Sequence, residues 1–75
     1  MAKYKPGDRV KAQFTDDETG DSELLWVNVR YSNDDSRLIV GWLDTWPTVL
    51  TKLKGGQEIK VRYDLVREHT RFEVS

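Results

Sequence analysis

Leu24-Leu25-Trp26-Val27-Asn28-Val29-Arg30-Tyr31 is the stretch on which the fold class turns. Leu25, Val27, Val29 and Tyr31 alternate with Leu24, Trp26, Asn28 and Arg30. A period of two is the signature of a β-strand, whose successive side chains point to opposite faces. Asn28 and Arg30 mark the second face as the outward one. Trp26 shares that face, so it is expected to be partly exposed or covered by a neighbour.

The same alternation recurs on both sides. Upstream, Pro6-Gly7 is a turn signal that leads into Asp8 to Phe14. There Val10, Ala12 and Phe14 alternate with Arg9, Lys11 and Gln13, the pattern of a half-buried strand. Thr15 to Glu23 is polar and acidic around Gly20 and reads as a long hairpin loop. Downstream, Ser32-Asn33-Asp34-Asp35-Ser36 is rich in residues that hydrogen-bond their own backbone, so a turn is expected. Arg37 to Leu43 returns as a strand that is apolar on both faces. Leu38, Val40 and Trp42 point one way, and Ile39, Gly41 and Leu43 the other. Such a strand needs cover on both sides.

The next segment is read as that cover, a helix of two turns. Asp44 or Thr45 would cap it, Pro47 would sit in its first turn, and Val49, Leu50 and Leu53 would form its apolar stripe. Gly55-Gly56 would end it. Gln57 to Asp64 is a fourth strand, with Ile59, Val61 and Tyr63 alternating with Glu58, Lys60 and Arg62. Leu65 to Arg71 reads as a turn or helical turn, and Phe72 to Val74 as a short closing strand. The expected fold is a mostly-β single domain, 1–75. It is a small SH3-like barrel or a strongly bent four- to five-stranded antiparallel sheet with one short helix. An open α+β sheet with the helix on one face is the second choice.

Size and composition limit what such a domain can do. A chain of 75 residues buries about two-thirds of its unfolded surface, so its stability rests on a small core. It has no cysteine, which excludes disulfides and cysteine-bound zinc and fits a reducing compartment. The N-terminal residues lack the apolar run of a secretory signal, and no stretch is long enough to cross a membrane. A cytoplasmic protein is the expectation. Twelve basic and thirteen acidic residues leave a net charge of −1, which is not the balance of a nucleic-acid binder. Acids crowd Asp16, Asp17, Glu18, Asp21 and Glu23. Bases are more frequent from Lys52 to Arg71.

Two stretches carry a resemblance. One is Glu23-Leu24-Leu25-Trp26-Val27-Asn28-Val29, an acid followed by a Trp-centred strand. The other is Gly41-Trp42-Leu43-Asp44-Thr45-Trp46-Pro47, followed by Leu53-Lys54-Gly55-Gly56-Gln57-Glu58-Ile59-Lys60-Val61. Together they resemble the bacterial domain of unknown function 2314 family over Tyr4 to about His69. That family is similar in its acid–His–x–Trp strand, its Gly-x-Leu-x-Asn-x-Pro turn and its Leu-Lys-x-Gly-x-x-Val hairpin. Leu24 stands where the family has His, and Thr45 where it has Asn. The resemblance implies an intracellular bacterial domain and no particular activity.

No group of residues reads as a catalytic centre. His69 is the only histidine, and a general base needs a partner and a pocket. Asp16-Asp17 and Asp34-Asp35 lie in loops, where Asp serves turn geometry. Aligning Gly20 with the turn glycine of a calcium loop puts Thr15 and Thr19 where acids belong. Gly55-Gly56 lacks the spacing of a phosphate loop. No catalytic residue, cofactor or metal is expected.

The three tryptophans carry most of the information. Trp26 and Trp42 are first of all core candidates, and Trp26 could lie across Gly41, where a missing side chain leaves room. Trp46 sits beside Pro47 at a turn, next to Asp44 and Thr45, and an exposed Trp is a common interface anchor. A non-catalytic protein- or peptide-binding module is the expected function, with Trp46, Pro47, Trp42, Trp26 and Arg30 as partner-binding residues. The alternatives are a nucleic-acid-binding small barrel, with Arg30, Arg37, Lys60 and Arg62 meeting phosphates, and a structural or accessory domain acting in an oligomer.

Overall fold

The computed structural model describes residues 2–72. The chain forms five strands, β1 (Arg9–Thr15), β2 (Ser22–Asn33), β3 (Leu38–Leu43), β4 (Glu58–Arg62) and β5 (Val66–Thr70). A 3-10 turn, Tyr63–Leu65, joins the last two. All pair antiparallel in one sheet of order β4-β3-β2-β1-β5. The sheet is not closed, since β4 and β5 have one neighbour each.

Alternation builds the core. Val10 faces Val27 and Ala12 faces Leu25 across β1 and β2. Gly41 and Ile39 on β3 face Ile59 and Val61 on β4. Val10, Ala12, Leu25, Val27, Val29, Ile39, Leu43 and Val61 are all buried on this inner face, together with Tyr4. Each large aliphatic buried so contributes roughly 1.5–3 kcal/mol, several times the worth of an exposed ion pair. Gly41 is required there. A Cβ on it would run into the Asn28 carbonyl and lie 2.9 Å from Val27 Cγ1. Trp26 does not lie across it; its cross-strand neighbour is Lys11.

Four further expectations need correction. Residues 44–56 contain no helix. A two-turn helix is marginal on its own, and here the amides that would start it are taken by Glu23. The hairpin loop is shorter than Thr15 to Glu23, because Thr15 and Ser22 already pair. The segment Leu65 to Arg71 is mostly strand β5, which pairs with β1 from Arg9–Thr70 to Ala12–Val66. Phe72 lies beyond that strand, and the remainder of the expected closing strand, 73–74, lies outside the described residues.

The fourth correction concerns Tyr31. Val29 pairs with Gly41, yet Tyr31 pairs with Val40, so Arg30 is an extra residue in the ladder. Such a bulge reverses the side-chain alternation beyond it. Tyr31 therefore turns from the core to the outer face and is 52% exposed.

Candidate partner-binding face

The outer face is assembled row by row from the strand register. Trp26 neighbours Lys11; Asn28 lies between Arg9 and Trp42, and Trp42 beside Glu58. Past the bulge come Tyr31, Val40 and Lys60, then Asn33, Leu38 and Arg62. Trp42 is 43% exposed, Trp26 is half-buried, and Val40 is buried among these larger side chains.

Cations lie over the rings. The Arg9 guanidinium is 4.7 Å from the Trp26 ring centre, and Lys11 Nζ is 5.8 Å from it. Arg30 serves two rings, Trp42 at 5.6 Å and Tyr31 at 6.0 Å. Each cation is also paired with an acid: Arg9 with Asp44 at 2.7 Å, Lys11 with Glu68 at 3.3 Å, and Arg30 with Glu58 at 2.8 Å. Asp44 further accepts a hydrogen bond from Asn28 Nδ2. Arg9 Nε is buried against this cluster without a hydrogen-bond partner. The result is a nearly neutral face of aromatic rings and paired cations.

Trp46 stands apart. It is 71% exposed, and its indole packs against Gly55, where a Cβ would come within 2.7 Å of the ring. Pro47 beside it is half-buried. Among the described residues the aromatic pairs are Tyr4–Tyr63 and Tyr4–His69, so no ring contact joins Trp46 to Trp26 or Trp42. The five residues expected to meet a partner thus divide into two groups. Trp26, Arg30 and Trp42 share the sheet face, whereas Trp46 and Pro47 sit on the β3–β4 loop.

Glu23 fixes that loop. Its carboxylate accepts hydrogen bonds from the amides of Thr48, Val49 and Leu50 and from the Thr48 hydroxyl. Led by the Thr48 amide, these bonds pull its pKa from 4.5 to about 2.

The titratable groups elsewhere have structural partners. Asp8 is buried and accepts the amides of Lys5 and Phe72, with His69 Nε2 at 2.8 Å. Burial alone would raise its pKa, but the Phe72 amide, His69 and the Lys5 amide together lower it. His69 stacks its edge on Tyr4, and no serine or threonine hydroxyl bonds it among the described residues. Asp16 accepts the Glu18 and Thr19 amides in its own turn, which lowers its pKa. Lys52 reaches across to Glu18 and Asp16. No group of three metal-ligating side chains forms among the described residues.

Sequence reasoning missed Tyr31 as a face residue, because nothing local announces the bulge at Arg30. It also missed Arg9 and Lys11, although their position opposite Trp26 follows once the β1–β2 hairpin is closed at Thr15–Ser22. Comparison with known proteins found no matching family model, curated protein or solved structure.

Proposed function

We propose that this chain is a non-catalytic, protein-binding module, and that the outer sheet face carries the contact. The observation that supports this most is the ladder of Trp26, Trp42 and Tyr31 with Arg9 and Arg30 stacked on it. Interface centres are enriched in Trp, Tyr and Arg, and rigid aromatic groups lose little entropy on contact. Glu58, Asp44 and Glu68 neutralise Arg30, Arg9 and Lys11, leaving Lys60 as the face's cation without an ion pair among the described residues. A nucleic acid would have to displace those acids and also the cations that occupy the rings. That weighs against the phosphate-and-stacking alternative.

The strand order and the 3-10 turn before β5 favour an open relative of the SH3-like barrel as the finer description of the fold. Among the described residues no helix is long and apolar enough to cross a membrane. The cysteine-free composition suits action in the cytoplasm. The likeness to the domain of unknown function 2314 family rests in part on Gly41 and Leu43. Both are inner-face positions, so those parts of the motif have a packing role.

The test is a paired variant, Arg30→Ala with Trp42→Ala, compared with wild type in nuclease-treated cell extract. A specific protein that binds wild type should be lost on the variant while the melting temperature moves little. Retention of every bound protein would refute the face. Salt-dependent binding to single-stranded oligonucleotides with tryptophan quenching would support the nucleic-acid reading instead.

A further inference from the structure

The hairpin between β2 and β3 ends in an unusual residue. Arg37 has φ +57°, the left-handed region that crowds the Cβ of any L-residue and that glycine enters freely. A glycine here would relieve the strain, yet the position carries the longest cation. Its carbonyl accepts the Tyr63 amide at 3.0 Å, which fixes the backbone beside the 3-10 turn. Its side chain has no ion pair among the described residues.

Arg37 borders a cleft of about 640 Å³ with Lys3, Ser36, Leu38, Arg62, Tyr63 and Asp64. Three cations face one acid there. Asp64 pairs with Arg62 at 3.0 Å, but both side chains are well exposed, so the pair is weak and easily exchanged. Asp34 nearby is held ionised by the Tyr63 hydroxyl and the Lys3 amide, and its charge offsets that of Lys3, so Arg37 is left as the cleft's cation without an acid partner among the described residues. Leu38 and Tyr63 give the cleft apolar walls. Leu38 and Arg62 lie in the row next to Val40 and Lys60, so the cleft continues the outer face.

We propose that this cleft receives an acidic segment of the protein partner, with a carboxylate bound by Arg37 and Arg62 and an adjacent apolar side chain against Leu38 and Tyr63. The inference rests on the protein-binding reading and names the chemistry of one contact within it. Guanidinium forks match the planar carboxylate, and an unpaired Arg37 needs no partner displaced. The volume exceeds that of a lone small anion and suits a few residues of extended peptide.

The full chain, isotope-labelled, would be titrated with a short capped peptide of alternating leucine and glutamate, its leucine–glutamine counterpart, and inorganic phosphate. The glutamate peptide should give saturable amide shifts at Arg37, Leu38, Arg62 and Tyr63, and the glutamine peptide should bind on the order of tenfold more weakly. Arg37→Gly should weaken the glutamate peptide by a similar factor without lowering the melting temperature. Absent shifts, equal binding of the two peptides, or unchanged affinity in Arg37→Gly would overturn the proposal. Phosphate saturating the same amides at lower concentration than the peptide would overturn it in favour of a free-anion site. The Arg30→Ala, Trp42→Ala variant separates the two readings, because it removes the sheet-face contact and leaves the peptide cleft intact.

Discussion

The two faces of the same sheet are built on different principles. The inner face is small, branched and dry; Val10, Val27, Ile39, Leu43 and Val61 are almost completely buried there. The outer face carries large rings and paired charges, with the chain's own cations lying over the rings. Close packing makes the inner face sensitive to single methyl groups. Cation–ring contacts at half-exposed sites contribute only about 0.5–1 kcal/mol each, so the outer face can change with little effect on the fold. In the proposed reading, stability and recognition fall to opposite sides of five strands.

The largest expected effect tests the inner side. Gly41→Val should cost about 3 kcal/mol or more, because a Cβ there meets backbone that cannot move aside. Chemical denaturation measures it, and an unchanged midpoint would mean that the inner face tolerates added volume.

Glu23 on β2 holds the amides of the β3–β4 loop, and it should make stability depend on pH. Its pKa is about 2 in the fold against an ordinary 4.5. A depressed carboxylate pKa stabilises the fold fully above the unfolded value and loses that contribution as pH falls through the folded one. The urea midpoint of wild type should therefore drop between about pH 5 and pH 2. Glu23→Gln should start lower at neutral pH and drop less across that window. Parallel curves for the two proteins would show that the loop amides are not held by this charge.

Smaller still is the outer-face effect. Trp26→Ala should cost more than Arg30→Ala, since Trp26 is half-buried under two cations whereas Arg30 is exposed. The Arg30 change should stay within about 0.5 kcal/mol in thermal unfolding, as surface substitutions do. A cost equal to that of Gly41→Val would erase the distinction between the faces. Trp46→Ala should likewise stay within about 0.5 kcal/mol, because the ring is mostly solvated. A large loss there would make its contact with Gly55 a structural one.

Much of the inner face was legible in the sequence because strand periodicity is a local signal. Val10, Ala12, Leu25, Val27 and Val29 fall where alternation puts them, and the need for a small residue at Gly41 follows from an apolar strand that carries a glycine. The missed features are set by distant partners. The segment after Leu43 carries caps and an apolar stripe, yet Glu23, from another strand, takes its amides. Tyr31 changed sides through one extra residue at Arg30. Tyr4 lies outside every strand that alternation picks out, but Tyr63 and His69 pack around it. At the candidate site, the exposure of Trp46 followed from its turn, whereas the cover over Trp26 required the register of β1.

Asp8 has a mechanical consequence. It gathers the Lys5 amide, the Phe72 amide and His69 at one carboxylate, just before Arg9 and Thr70 pair as the first rung of β1 and β5. Tension applied through residues 5 and 72 would load these contacts one after another, as in opening a zipper, instead of shearing a whole ladder at once. Resistance to stretching would then be low and concentrated in a single side chain, so that Asp8 acts as the fastener at the open end.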